Sequence, residues 1–116
     1  MATNAKSVLQ SLTKTQGIHE ALLVGRDGFV IEHVGDMDPE ATGAVVSTAI
    51  GATEAMGGEL GQGELFELMA EFKQGTVIVA PVGPDAILGI AAGETANLGA
   101  VRHAVKKHLR DLEKAL

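Results

Sequence analysis

At 116 residues and 46% apolar side chains, the chain has the size of one domain with a real core and not the composition of a disordered segment. The absence of cysteine excludes disulfides, thiolate metal sites and cysteine nucleophiles, and suits a reducing, cytoplasmic setting. A net charge of −6, with three Phe and neither Trp nor Tyr, argues against nucleic-acid binding by counterion displacement or base stacking.

The opening residues, MATNAKSVLQ, lack an apolar signal core, and no apolar run reaches membrane-spanning length, so no membrane insertion is expected. Ala5 to Thr13 places Ala5, Val8, Leu9 and Leu12 on one side of a short amphipathic helix, with Thr3 or Asn4 as its cap. Gln16-Gly17 ends it. His19 to Gly25 and Phe29 to Val34 are two β-runs joined at Arg26-Asp27-Gly28, and Asp-Gly between apolar runs signals a hairpin. In the first run Leu22 and Val24 alternate with Ala21 and Leu23, so both faces of that strand are apolar and the sheet is expected to be covered on both sides.

Asp38-Pro39 pairs a capping residue with proline at the first helical position, and opens a long helix running to Glu59. Between Pro39 and Gly58 its only charged residues are Glu40 and Glu54. At about 100° per residue, Val45, Val46, Ala49, Ile50 and Met56 gather on one side, expected to face the sheet. Gly43, Ser47 and Gly51 run down the other, with Ala44, Thr48 and Ala55 beside them. Glycine inside a helix costs roughly 1 kcal/mol against alanine. Close approach of another helix into the shallow row would offset that. Two covers are open to this small face: one of the chain's own terminal helices, or a second subunit.

Gly57-Gly58 and Gly61-Gln62-Gly63 close the long helix. Three strands follow, Glu64 to Phe72, Thr76 to Val82 and Ala86 to Ala92, turning at Lys73-Gln74-Gly75 and Gly83-Pro84-Asp85 as an antiparallel meander. Asn97 to Leu116 is an amphipathic helix with Leu98, Val101, Val105, Leu109, Leu112 and Leu116 on its core face. The predicted order is αββαβββα, an α+β domain over residues 1–116 with five antiparallel strands and helices on both faces.

Taken together, "GIHEALLVGRDGFVIE", the small-residue helix, "GELFELMAEFKQGTVIVAPVGPDAILGI" and "NLGAVRHAVKKHL" resemble the Roadblock/LC7 family across nearly the whole chain. The resemblance implies profilin-like layers, with the central helix on one face of a five-stranded sheet and the terminal helices on the other. It also implies a homodimer, or a heterodimer with a paralogue, in which central helices pack together and third strands pair edge to edge. Carried onto this chain, the dimer interface would comprise Gly43, Ala44, Ser47, Thr48, Gly51 and Ala55 from the helix, and Leu65, Glu67 and Met69 from the third strand. Bacterial and archaeal members look like the gliding-protein partner of a small Ras-like GTPase, stimulating GTP hydrolysis. Eukaryotic relatives are dynein light chains and scaffold components. The resemblance implies no cofactor and no catalytic constellation, and it leaves the GTPase-binding surface unknown.

The remaining motifs read as structural. Gly61-Gln62-Gly63 follows a helix and precedes a strand, the reverse of a phosphate cradle, and no G-x-x-x-x-G-K-[S/T] occurs. His103 and His108 point apart on a helix, while His19 and His33 could meet across the hairpin without a third ligand. Glu64, Glu67 and Glu71 read as a solvated strand edge, not as an acid–base pair. Arg102, Lys106, Lys107 and Arg110 form a basic helix surface interrupted by Asp111 and Glu113, either a solvated face or a seat for an acidic partner or anionic lipid. No arginine finger of the kind some GTPase activators use is assigned; Arg26, in the hairpin turn, is only the most exposed candidate. An enzyme or small-ligand sensor finds no support in these motifs.

Overall fold

Residues 4–116 are described by a computed structural model, and the order of elements is αββαβββα as predicted. Helix α1 spans Ala5–Thr13 and buries Val8, Leu9 and Leu12. Asn4 is its cap, its side-chain Oδ1 accepting from the Ser7 N–H at 2.8 Å; the alternative cap, Thr3, lies outside the described residues.

Strands β1 (Ile18–Gly25) and β2 (Val30–Val34) form the predicted hairpin. The turn is built by Gly28 at φ +90° and by Asp27, whose side chain accepts from the Phe29 N–H at 3.0 Å. An irregularity near Leu23 and Val24 bulges Ile31 out of the ladder at this edge of the sheet. Glu20 accepts from the N–H groups of Asp36 and Met37, fastening the link into the next helix.

Helix α2 spans Pro39–Glu59, with Asp38 accepting from the Glu40 and Ala41 N–H groups. It runs straight through Gly57-Gly58 and stops only where Gly61 adopts φ +67°. There Gly61 N–H donates to Gly58 O and Gln62 N–H to Gly57 O, the paired bonds of a Schellman stop.

Strands β3 (Leu68–Phe72), β4 (Gly75–Val82) and β5 (Ala86–Gly93) are the meander, and α3 (Leu98–Lys114) follows, capped by Asn97. The predicted third strand began at Glu64; the observed one is four residues shorter. Extending the β3–β4 register puts Pro81 opposite Phe66, and a proline has no N–H to donate into a longer ladder. Leu116, predicted on the core face of the last helix, lies beyond its end and is exposed.

The sheet order is β2-β1-β5-β4-β3, antiparallel throughout, leaving β2 and β3 as edges. Two cores sandwich it. Ala21, Leu23, Leu88 and Ile90 face α1 and α3, whose Leu9, Leu12, Val101, Val105 and Leu112 complete the larger core. Leu22, Val24, Val79 and Ile87 face α2, which contributes only Val46 and Ile50 to a much thinner one. A long helix that gives two large side chains to its own core keeps most of its circumference free.

Candidate functional site

The arc of α2 that turns inward is narrow. Gly89 on β5 leaves room for Val46, whose Cγ2 would lie 3.4 Å from any Cβ placed there. Gly43 also faces inward, contrary to its predicted place in the outward row. A Cβ on Gly43 would sit 3.1 Å from both the Gly28 carbonyl oxygen and Val24 Cγ2, so this glycine is there for the chain's own hairpin.

Val45 and Met56 were predicted to face the sheet and instead are 68% and 56% exposed. Neighbours in a helix stand about 100° apart, so Val46 in the core sends Val45 out. The outward stripe therefore consists of Ala41, Ala44, Val45, Thr48, Gly51, Ala52, Ala55 and Met56, all exposed and none charged. Around Gly51 a Cβ would meet no atom within 4 Å beyond its two chain neighbours and the backbone of its own helix. The hydroxyls do not make the stripe polar: Ser47 Oγ and Thr48 Oγ1 both donate to the Ala44 carbonyl, at 3.0 and 2.8 Å. Ser47 itself is half-buried beside the hairpin turn.

One flank of α2 is fixed electrostatically. Arg26 Nη1 and Nη2 donate to Glu54 Oε1 and Oε2 at 2.6 and 2.9 Å, a bidentate pair joining the hairpin turn to the helix. Arg26, the most exposed candidate for an arginine finger, is engaged in this clamp. The hydrogen bonds from Arg26 hold the Glu54 carboxyl below its ordinary range, against the opposing effect of burial. Stability from a depressed carboxyl is present above the unfolded pKa of about 4.3 and is lost as pH falls through the folded value. With side chains 36% and 32% exposed, solvent screening confines the pair to about 0.5–1 kcal/mol. Urea denaturation of Glu54→Gln is expected to show that loss at pH 7 and no difference from the parent at pH 2.5.

The third-strand residues divide. Leu65 packs beside the α2-side core, and Met69 faces the opposite core. Glu67, predicted as a solvated edge charge, precedes the strand and turns toward α3, where Arg102 Nε donates to its Oε1 at 2.8 Å. Glu64 and Glu71 are exposed. What β3 offers a partner is its unpaired backbone edge, with Phe72 exposed on the α2 side of the sheet. Phe29, just past the hairpin turn, is exposed as well. Its position directly after Asp-Gly was the available signal, since a residue at a turn has few neighbours to bury it. His33 pairs with Leu22 in the hairpin register, so His19 is not its cross-strand partner.

The site is thus an uncharged helix face beside an open strand edge, with Glu54 on its flank paired to Arg26. It offers shape and apolar area. The Roadblock/LC7 domain family model matches residues 4–92.

The chain belongs to the Roadblock/LC7 family.

Uncharacterized protein MJ0310 of Methanocaldococcus jannaschii is 37% identical over 102 residues, covering 86% of this chain and 89% of that protein. The gliding protein MglB of Thermus thermophilus is similar in structure, with a TM-score of 0.86 at 26% identity over 94% of this chain and 85% of that one. A Roadblock/LC7 domain from Streptomyces avermitilis shares the fold at 17% identity, with a TM-score of 0.86 and 92% of each chain covered. The Roadblock/LC7 match ends before α3, so the last helix lies outside it. Among the described residues, no helix is long and apolar enough to cross a membrane.

Proposed function

We propose that the protein is a homodimeric Roadblock/LC7 module that binds a small Ras-like GTPase and modulates its GTP hydrolysis. The observation that carries the reading is the outward stripe of α2, a charge-free surface about four turns long in which glycine, alanine and self-bonded threonine leave room for another helix. Two such stripes facing each other, with β3 edges paired into a continuous sheet, would bury on the order of 1,200–2,000 Å². Of the residues predicted for the interface, Ala44, Thr48, Gly51 and Ala55 would meet the partner directly, while Gly43, Leu65 and Met69 would support the elements that do. Similarity to a gliding protein at 26% identity supports the choice of a GTPase as client.

The dimer would act by positioning the GTPase's own switch elements, supplying binding energy and no reacting group. A dimeric scaffold without effect on turnover is the second reading, favoured by the commitment of Arg26 to Glu54. Single-turnover GTP hydrolysis by a Ras-like GTPase from the same genome separates the two. The first predicts nucleotide-dependent binding and a faster or slower turnover; binding indifferent to GDP or GTP with no rate change selects the second. No binding in either state removes the GTPase reading for that pair.

A further inference from the structure

Five of the nine Lys and Arg residues lie on α3: Arg102, Lys106, Lys107, Arg110 and Lys114, all exposed. Against them stand Asp111 and Glu113, so the helix carries +3 and the remainder of the chain −9. At about 100° per residue the five cations and His103 share one outward arc some 140° wide. Asp111 stands at its margin. Glu113 leans over the β4–β5 turn, its Cγ 3.4 Å from where a Cβ on Gly83 would be. Glu113 thus falls within the arc near its C-terminal end, and the cations of the first three turns, Arg102, Lys106, Lys107 and Arg110, form its uninterrupted part.

Beside it runs a groove of about 320 Å³ between α3 and the β3–β4 side of the sheet, lined by Phe66, Glu67, Ala80, Val105, Lys106 and Leu109. Phe66 stands up as one wall, 85% exposed. Glu67 Oε1 is held by Arg102, and its Oε2 is buried without a hydrogen-bond partner among the described residues.

We propose that the groove and stripe together dock an acidic segment of a partner protein, seating one large apolar side chain against Phe66 and Leu109 while its carboxylates meet Lys106 and Arg110. Charge complementarity selects this occupant, since the cations are concentrated here on an otherwise acidic chain. A bilayer fits less well: Val101, Val105 and Leu112 are committed to the core, so α3 has no apolar face to insert, and the acidic remainder would be repelled by anionic lipid. The groove lies on the side of the sheet opposite α2, so it does not depend on what covers α2.

The test is selection from a displayed library of random peptides of about 16 residues, followed by fluorescence polarisation with the enriched sequences. Enriched peptides are expected to carry Asp or Glu around a Leu, Ile, Phe or Met. Their affinity should fall about tenfold or more in Lys106→Glu/Arg110→Glu, and severalfold in Phe66→Ser and at raised salt. All three side chains are exposed, and unchanged circular dichroism checks that each variant folds. No enrichment, enrichment without acidic residues, or full affinity in the charge-reversed variant would overturn the proposal. So would charge-dependent flotation with vesicles containing about 30% phosphatidylserine, or charge-dependent self-association at low salt, if either occurs without peptide enrichment.

Discussion

In the proposed homodimer, replacing Gly51 with leucine is expected to halve the solution mass while leaving the helical circular dichroism unchanged. Apart from its two chain neighbours and the backbone of its own helix, nothing lies within 4 Å of a Cβ at Gly51, so a side chain there meets no other part of the fold. A leucine even raises helix propensity over glycine, by up to about 1 kcal/mol. Any penalty must then come from a second molecule. If two α2 helices cross through Ala44, Thr48, Gly51 and Ala55, their axes sit about 8 Å apart, and a leucine in the row forces them open. Overpacking of this kind costs about 1–3 kcal/mol per site, and a symmetric dimer meets it on both helices. The dimer is therefore expected to weaken about thirtyfold or more. Light scattering across a micromolar dilution series measures it; a well-folded Gly51→Leu dimer of parental affinity would place the interface elsewhere.

Gly43→Leu, eight residues earlier in the same helix, is expected to damage the fold itself. Its Cβ would already lie 3.1 Å from the Gly28 carbonyl and from Val24 Cγ2, with Val30 Cγ2 at 3.6 Å. A methyl group requires these neighbours to give by a few tenths of an ångström. The rest of a leucine requires α2 to lift off the hairpin, and the α2-side core that would be opened is the thinner of the two. A loss of about 3 kcal/mol or more, seen as a melting temperature lower by roughly 10 °C, is the expected outcome. Gly43→Ala, where regained helix propensity opposes a small clash, should be near neutral. A Gly43→Leu chain that melts like the parent would mean that α2 is not seated on the hairpin.

The contrast between these two glycines shows where sequence reading reaches its limit. Gly43 and Gly51 fall in one row on paper, and α2 has so few charged residues that its pattern does not distinguish the sheet side from the open side. Val45 and Val46 are equally apolar and adjacent; only the sheet determines which of them it receives. The Arg26–Glu54 clamp joins residues 28 apart, and the Glu67–Arg102 pair joins residues 35 apart, separations at which no local period speaks. The missing start of β3 has the same origin, because Pro81 stops that strand from across the ladder.

Local signals, by contrast, carried through. Asp38-Pro39 starts α2, Asp27-Gly28 turns the first hairpin, and the doubly apolar β1 belongs to a sheet covered on both faces. These features depend on backbone geometry and side-chain period within a few residues, so the elements, their order and the layered fold were legible in the amino-acid order alone. Which arc of α2 faces outward, that β2 is the second edge of the sheet, and where the basic stripe of α3 meets a groove emerged only when the chain was folded. Each depends on contacts between distant segments, where burial of one residue exposes its neighbour.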